Sequence, residues 1–401
     1  MKDRASSATR WIGFVLATLS LVVEGFDLQA ANFAGPSIIE QLHVAKAQLG
    51  PLQSASLVGL LFGAVLLAPL GDRFGRRAIL IAGCLSYGAI SLVSAAAADL
   101  MQLIGLRFLV GVGLGAVLPN ALALAGEFAP ETLLASAASL VGIGITFGGT
   151  VAGATSALLI GHGYGWRGIF AVAGILPIII AALLWLALPE SPALRPRGET
   201  GKAGSVAQLF ADGQAGKTLA IWISFALVLM VTYLLNGWIP LVIKDQGYST
   251  ETATWVATAG HAGGTIGGIF ASIALAKRQW PVVAIFAGIA ALVMLLLAGH
   301  GWSVGVMTGL IALQGFFSVG TQNGLNGSAS ATYPAERRSL GLGWALGMGR
   351  LGAILGPFVG SAAAVIGLGA PRHFFYLPIA PLLIAALLAI YLSRTTRETV
   401  Q

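Results

Sequence analysis

Long apolar runs separated by short polar breaks occupy almost the whole chain. A membrane-spanning helix needs about 20 mainly apolar residues, and runs of that length recur twelve times. They lie at about 11–37, 48–70, 78–98, 102–125, 135–160, 167–188, 218–243, 252–275, 281–300, 303–329, 339–366 and 373–393. The pattern therefore predicts an all-α membrane protein with twelve transmembrane helices.

The two halves of the chain share landmarks at one constant offset of 205 positions. The matches include Gly59 with Gly264, Gly63 with Gly268, Gly115 with Gly320, Gly142 with Gly347, and "FAPE" (128–131) with "YPAE" (333–336). We infer two six-helix halves in the same orientation, 1–188 and 218–401, as in parallel transporter repeats. The hydrophilic stretch 189–217 is predicted to be a cytoplasmic linker with a short helix around Ser205–Phe210.

Composition and charge agree with membrane insertion. The chain is 57% hydrophobic and only 9% charged, with a mean hydropathy of +0.87, which excludes an ordinary soluble domain. Of the 22 Lys and Arg, most fall in breaks on one side, so the positive-inside rule places both termini in the cytoplasm. The net charge of +7 therefore sets orientation and implies no nucleic-acid partner.

The first span has three features that separate it from a signal peptide. It is longer than a signal-peptide core and has no evident cleavage site, so we expect it to remain as the first helix. It also contains two acids, Glu24 and Asp27, whose spacing places them on one helical face that Ser20 and Ala31 extend. Two nearby carboxyls in a low-dielectric site cannot easily both ionise, which suits a group that binds and releases a proton.

Two arginines, Arg107 and Arg350, lie inside predicted spans. A permanent charge in hydrocarbon is costly unless it is paired or reached by water, so such residues usually face the bundle interior or an aqueous path. They are candidate functional residues. The alternative is a purely structural ion pair between helices.

Other polar side chains in the spans are candidates for binding a ligand, although bonds between helices would explain each of them equally well. They are Tyr233, Asn236, Trp238, His261, Gln314, Gln322 and Asn323. The lone cysteine, Cys84, excludes an internal disulfide and a cysteine-based metal site. The sequence contains no catalytic, phosphate-binding or metal-ligand motif. The stretch "GVGLGA" (111–116) looks like the start of a dinucleotide-binding loop, but it follows no strand and lies in an apolar helix, where small residues serve helix packing. We therefore predict no enzyme activity and no cofactor.

The break between the second and third spans has an ordered set of charges, "GDRFGRR" (71–77). Its candidate gating residues are Asp72, Arg73, Gly75, Arg76 and Arg77. The carboxylate and the guanidinium groups can bind each other and the end of a neighbouring helix. At the equivalent position of the second half the motif has decayed to "KRQW", with Lys277 in place of Asp72.

These motifs resemble the major facilitator superfamily. The resemblance rests on the twelve-span plan, "GDRFGRR", "RFLVGVGLGA" (107–116), "LPESP" (188–192) and "YPAERRSLGLG" (333–343). "EGFDLQAANFAGPS" (24–37) is similar to the first-helix Asp-Gly-x-Asp signature of aromatic acid:proton symporters, and with "MGRLGAILGP" (348–357) it resembles the branch that imports 3-(3-hydroxyphenyl)propionate. The chain departs from the family pattern at Ala68, where the family usually has glycine, and at Glu24, where aspartate is commoner.

The resemblance implies a multi-pass protein of the cell inner (plasma) membrane that imports an aromatic acid anion with a proton by alternating access. We expect a monomer, although the sequence leaves the oligomeric state open. The resemblance also implies proton coupling by Asp27, Glu24 and Arg107, and conformational gating by the loop at 71–77. Arg350 as the carboxylate anchor is our extension, from its charge complementarity with an anion. The main alternative is a proton-coupled exporter of a drug or metabolite, although "GITFGGTVAGA" (144–154) lacks the exporters' proline. A membrane sensor and an intramembrane enzyme are further alternatives.

Overall fold

The computed structural model describes residues 7–130, 137–188, 205–211, 213–274, 279–299, 301–334 and 336–398. The chain divides into two compact units, one formed by Met1–Pro196 with Ser249–Thr258 and the other by Arg197–Tyr248 with Ala259–Gln401. The predicted domain boundaries at 188 and 218 stay a prediction. Most of the predicted linker (189–204) and the second-half copy of the gating motif around Lys277 lie outside the described residues.

The first unit is built from long helices with one short helix between them. They are α1 (Ser7–Leu42), α2 (Leu49–Leu66), α3 (Leu70–Phe74), α4 (Arg76–Ala95), α5 (Leu100–Phe128), α6 (Ala137–Gly161) and α7 (Gly165–Ala187). The charged break at 71–77 is therefore not an open loop: Asp72 and Arg73 belong to α3, and Arg76 begins α4. Gly75 joins the two helices with φ at +97°, a backbone conformation that glycine adopts without a steric penalty.

The second unit has the same general construction. Its helices are α8 (Ala215–Lys244), α9 (Thr250–Ala274), α10 (Gln279–Leu297), α11 (Val304–Thr332), α12 (Arg338–Val365), α13 (Pro371–Phe374) and α14 (Ile379–Glu398), with the first residues of α9 assigned to the first unit. A 3-10 helix, Val206–Leu209, begins after Ser205, within the range where the sequence predicts a short helix.

The all-helical membrane fold is confirmed. Eleven helices of the described chain are long and apolar enough to cross a membrane. The remaining predicted span corresponds to α9, which has five glycines and five threonines among its 25 residues. The twelfth predicted span, 373–393, is wrong at its start, because α13 ends at Phe374 and α14 begins only at Ile379. Pro378 explains the break, since the residue before a proline is disfavoured in the α conformation.

Close helix contacts in the first unit depend on glycine. A side chain at Gly59 of α2 would collide with the carbonyl oxygen of Phe108 on α5, and one at Gly111 of α5 would collide with the carbonyl oxygen of Ser56. Likewise, a side chain at Gly25 of α1 would meet the carbonyl oxygen of Ile145 on α6. Small residues permit such backbone approach between membrane helices. These contacts hold α2 against α5 and α1 against α6. The polar interior of the unit lies among these helices.

Candidate functional site

The centre of the first unit contains a buried ion pair between Asp27 of α1 and Arg107 of α5. One guanidinium nitrogen, Nη2, lies 2.7 Å from Oδ2 of Asp27, and both side chains have 0% relative exposure. The same nitrogen donates to the backbone oxygen of Asp27 at 3.0 Å, and Nη1 donates to Oδ1 at 3.2 Å. A paired, multiply hydrogen-bonded charge can be tolerated in a low-dielectric interior, whereas a single charge cannot.

Two serines complete the coordination of this pair. Ser91 of α4 donates to Oδ1 of Asp27 at 2.6 Å and accepts from Nη1 of Arg107 at 3.3 Å. Ser56 of α2 accepts from Nε of Arg107 at 3.2 Å. The guanidinium carbon also lies 5.2 Å from the centre of the Phe170 ring on α7, in cation–π geometry. Helices α1, α2, α4, α5 and α7 therefore all contribute to the site.

The second acid of the first helix lies close to the pair. Glu24 is 1% exposed and interacts electrostatically with Cys84 and Tyr87 of α4, and Tyr87 also interacts with Asp27. Cys84, Tyr87 and Ser91 recur at helical spacing, so they lie on one face of α4. The prediction that Glu24 and Asp27 share a buried face with Arg107 nearby agrees with this geometry, while their role in proton coupling stays a prediction.

The predicted gating motif, 71–77, forms a charged cluster at one end of the same unit. Arg76 lies 3.2 Å from Asp72 and 2.5 Å from Glu127 at the end of α5. Arg77 donates to the backbone oxygen of Trp185 near the end of α7, at 2.6 Å, and Arg73 lies over the Phe74 ring at 5.2 Å. Arg76 and Arg77 thus connect the start of α4 to α5 and α7. The sequence did not identify Glu127 as a partner.

The predicted substrate-binding residues of the second unit lie on four helices. Tyr233, Asn236 and Trp238 are on α8, His261 is on α9, Gln314 and Asn323 are on α11, and Arg350 is on α12. Five of them are half-buried: Tyr233, Asn236, His261, Asn323 and Arg350. Within the described part of this unit, Arg350 forms no ion pair. It is therefore a cation in an apolar helix whose charge no carboxylate of the described unit neutralises.

Trp238 and Gln314 differ from those five residues because they are buried. The indole N–H of Trp238 donates to the carbonyl of Pro357 at 3.2 Å, and its ring fills the space left by Gly360. The amide of Gln314 donates to Ser318 one turn along α11, at 2.7 Å. Both groups already have intramolecular partners. A structural role therefore accounts for their polarity, and their contact with substrate stays a prediction.

No group of His, Cys, Asp and Glu in the described residues is arranged to hold a metal ion. The chemistry that the first unit supports is instead a change of protonation. A carboxylate held by an arginine and a serine hydroxyl can become neutral by binding a proton, which removes the attraction that holds the guanidinium. The second unit contains a half-buried arginine, Arg350, and a guanidinium group can bind a carboxylate through two parallel hydrogen bonds.

The chain is similar to proteins of one known family. The model of the Major Facilitator Superfamily matches residues 17–320. The chain is 33% identical to the 3-(3-hydroxy-phenyl)propionate transporter of Escherichia coli (strain K12), covering 99% of this chain and 97% of that protein. It is 32% identical to the gallate transporter of Pseudomonas putida, covering 96% of this chain and 92% of that protein. It is also 32% identical to a 4-hydroxybenzoate transporter of Pseudomonas aeruginosa, covering 90% of this chain and 88% of that protein.

Solved structures show the same fold. A bacterial homolog of the human lysosomal transporter Spinster, in an inward-facing and occupied conformation, matches with a TM-score of 0.76 at 19% identity, over 98% of each chain. A D-xylose-proton symporter matches with a TM-score of 0.74 at 17% identity, over 94% of this chain and 97% of that chain. At these identities the likeness concerns the fold alone.

Proposed function

Because this chain belongs to the major facilitator superfamily and groups with its aromatic acid transporters, we propose that it imports an aromatic carboxylic acid together with a proton. The substrate class follows from the relatives, which transport gallate, 4-hydroxybenzoate and 3-(3-hydroxyphenyl)propionate according to their names. A 3-(3-hydroxyphenyl)propionate-like or hydroxybenzoate-like acid is the proposed substrate. As a multi-pass protein it would lie in the inner (plasma) membrane with both termini cytoplasmic.

The observation that carries the proposal is the buried pair of Asp27 and Arg107. Nη2 and Oδ2 are 2.7 Å apart with both side chains at 0% exposure, so each charge depends on the other for its stabilisation. Protonation of Asp27 would cancel this attraction and free the guanidinium from the carboxylate. A buried acid whose pairing depends on its protonation is the element that proton symport requires.

In the proposed cycle, the acids of α1 bind a proton from the outer side before the substrate enters. Binding of the substrate anion then favours rocking of the two halves, and the proton and the acid leave on the cytoplasmic side. Loss of the proton restores the Asp27–Arg107 pair, and the empty protein returns to the outward-facing state. Glu24, three residues from Asp27 and buried beside Tyr87, would share the proton with Asp27.

The proposed substrate contacts belong to the second unit. Arg350 would bind the carboxylate, since a guanidinium matches a carboxylate with two parallel hydrogen bonds. The other proposed contacts are Tyr233, Asn236, Trp238, His261, Gln314 and Asn323. The half-buried positions of Tyr233, Asn236, His261 and Asn323 leave surface for a ligand. These four are therefore stronger candidates for contact with the aromatic ring and its hydroxyl groups than Trp238 and Gln314, which are buried.

The proposed gate is the charged cluster of α3 and α4. Arg76 connects Asp72 and Glu127, and Arg77 holds the end of α7 through the carbonyl of Trp185. These contacts fix the cytoplasmic ends of three helices of the first unit in the present conformation. Their rearrangement would accompany the rocking motion.

The test is uptake by the purified protein in proteoliposomes, with an imposed pH gradient and radiolabelled 4-hydroxybenzoate or 3-(3-hydroxyphenyl)propionate. The proposal predicts accumulation when the outside is acidic, its loss on addition of a protonophore, and competition by other hydroxylated aromatic acids. Accumulation that is independent of the pH gradient would contradict proton symport. Outward transport of the acid driven by proton entry would favour the exporter alternative.

A further inference from the structure

Ser91 is a further residue of the buried site and lies next to the ion pair of Asp27 and Arg107. It is in the second half of α4, has 0% relative exposure, and contacts both members of the ion pair. Its hydroxyl donates to Oδ1 of Asp27 at 2.6 Å and accepts from Nη1 of Arg107 at 3.3 Å. It is therefore the one described hydroxyl bonded to the carboxylate that has to change charge.

Other buried serines of the chain show that this contact is unusual. A serine inside a helix commonly donates to a backbone carbonyl three or four residues earlier. Ser94, one turn along the same helix, does this with the carbonyl of Ile90, and Ser20 and Ser224 do the same in α1 and α8. Ser91 instead donates to a side chain on another helix. Its hydroxyl therefore donates to the carboxylate of Asp27 instead of to a backbone carbonyl of its own helix.

A hydroxyl can serve both protonation states of its neighbour. It has one donor hydrogen and two acceptor lone pairs, and it changes role by rotation about a single bond. Beside a carboxylate it donates, as observed here. Beside a protonated carboxyl it can accept the acid's own hydrogen, so the buried acid keeps a hydrogen-bonding partner when the arginine no longer attracts it.

We propose that Ser91 is a positioning residue for proton coupling: it donates to the Asp27 carboxylate in the paired state and accepts from the protonated acid in the released state. This inference rests on the proposed function, because it assigns to Ser91 a part in the protonation step of Asp27.

Several other groups around Asp27 can titrate or carry charge. These are Glu24 of α1, Cys84 and Tyr87 of α4, and Arg107 of α5. The described side chains of α2 and α6 include none. Arg167 of α7 donates to the carbonyls of Ala95, the last residue of α4, and of Ala97 just beyond it. The test therefore changes the hydroxyl alone and leaves all these groups in place.

The experiment compares the pH dependence of uptake in proteoliposomes for Ser91→Ala, Ser91→Thr and the unmodified protein. Removing a donor from a charged acceptor disfavours the carboxylate relative to the protonated acid. We expect Ser91→Ala to move half-maximal uptake to higher external pH by about one unit, which corresponds to a tenfold change in protonation ratio. Ser91→Thr keeps the hydroxyl and should restore the original profile.

Ser94→Ala is the matched control, because Ser94 is equally buried on the same helix and donates only to its own backbone. It should leave the pH profile unchanged. A Ser91→Ala profile that superimposes on those of Ser94→Ala and the unmodified protein would overturn the proposal.

Two further results distinguish a failure of the role proposed for Ser91 from a failure of the proposed function. If Ser91→Ala does not fold, Ser91→Cys keeps the size of the side chain with a weaker donor, and it should shift the profile in the same direction by a smaller amount. An unshifted Ser91→Cys profile would then overturn the role of Ser91 alone. Uptake by the unmodified protein that does not depend on pH would overturn the proposed function and, with it, this inference.

Discussion

A clear difference between the two units lies at the ion pair of the first unit and at the repeat-equivalent positions of the second. Asp27 and Arg107 of the first unit form a fully buried ion pair. At the offset of 205 the second unit has Thr232 and Ala312 in their places. Thr232 is buried, and its hydroxyl donates to the carbonyl of Val228 in its own helix. The second unit therefore has no charge at the two positions where the first unit has its ion pair.

The helix packing of the units differs much less. In the first unit α5 carries Gly111, which touches the backbone of α2, and in the second unit α11 carries Gly315, which touches the backbone of α9 at Gly260. Similarly, Gly148 of α6 abuts the backbone of α1, and Gly352 of α12 abuts the backbone of α8. Backbone contact of this kind depends on shape, whereas the ion pair depends on chemistry.

This contrast suggests a division of labour on a repeated scaffold. Close glycine contacts fix the helices in both units, so the side chains between them can diverge without loss of the fold. We propose that the first unit uses this freedom for the proton and the second for the aromatic acid, with Arg350 as the anchor. The repeat position of Arg350 in the first unit is Ile145, which has no charge.

The largest predicted effect comes from breaking the ion pair of the first unit. Arg107→Leu leaves the carboxylate of Asp27 buried without its partner, which should cost about 3–5 kcal/mol of stability and abolish gradient-driven accumulation. Thermal unfolding in detergent and proteoliposome uptake measure the two effects. The double variant Asp27→Leu/Arg107→Leu should recover most of the stability, because it leaves no unpaired charge, but no accumulation.

The repeat-equivalent control for this change is Thr232→Ala. Its hydroxyl bonds only within its own helix, so its removal should cost about 1 kcal/mol of stability, well below the cost of Arg107→Leu, and leave accumulation intact. Equal loss of accumulation in Thr232→Ala and Arg107→Leu would contradict the division of labour between the units.

A smaller effect, similar in both units, is expected from the glycine contacts. Gly111→Ala would place a methyl group against the backbone of Ser56, and Gly315→Ala would place one against the backbone of Gly260. Overpacking should destabilise each variant by about 1–3 kcal/mol. Gly105→Ala on α5 and Gly309→Ala on α11 are the controls, because a side chain there would meet no atom within 4 Å. An unfolding temperature that is unchanged in Gly315→Ala but lowered in Gly111→Ala would show that the two units do not share this mode of helix packing.

The smallest effect is predicted for the proposed anchor of the second unit. Arg350→Gln should weaken binding of an aromatic acid about tenfold, which is about 1.4 kcal/mol, with little change for the corresponding neutral amide. Isothermal titration with 3-(3-hydroxyphenyl)propionate and its amide measures this. Arg394→Gln, which changes an exposed arginine at the end of α14, is the control. Equal weakening of acid and amide would count against a carboxylate anchor.

The sequence predicted the fold well because membrane helices have a strong local signal. Apolar runs marked the spans, and the spacing of Glu24 and Asp27 placed both acids on a face that is indeed buried. The predicted start of the last span was wrong because the mainly apolar stretch 373–378 includes a turn that ends at Pro378. Hydropathy alone does not register a break of this kind when the residues on both sides are apolar.

The partners of the site were less predictable. Ser91 and Ser56 are single small residues in apolar helices, and most such serines bond to their own backbone, so only the tertiary arrangement shows which ones reach Arg107. One signal was present: Cys84, Tyr87 and Ser91 recur along α4 at helical spacing. That stripe marks the face of α4 turned toward the acids of α1. Glu127 offered no such signal, since its partner Arg76 is 51 positions away.

The central claim is that Asp27 couples the proton to transport, and the most direct test compares two modes of transport in Asp27→Asn proteoliposomes. Asparagine cannot gain and lose a proton, so we predict that pH-driven accumulation of the acid is lost while exchange of labelled for unlabelled acid continues. Asp99→Asn is the control, because this exposed residue caps α5 and asparagine caps helices equally well. Accumulation by Asp27→Asn to the level of the unmodified protein would contradict the account.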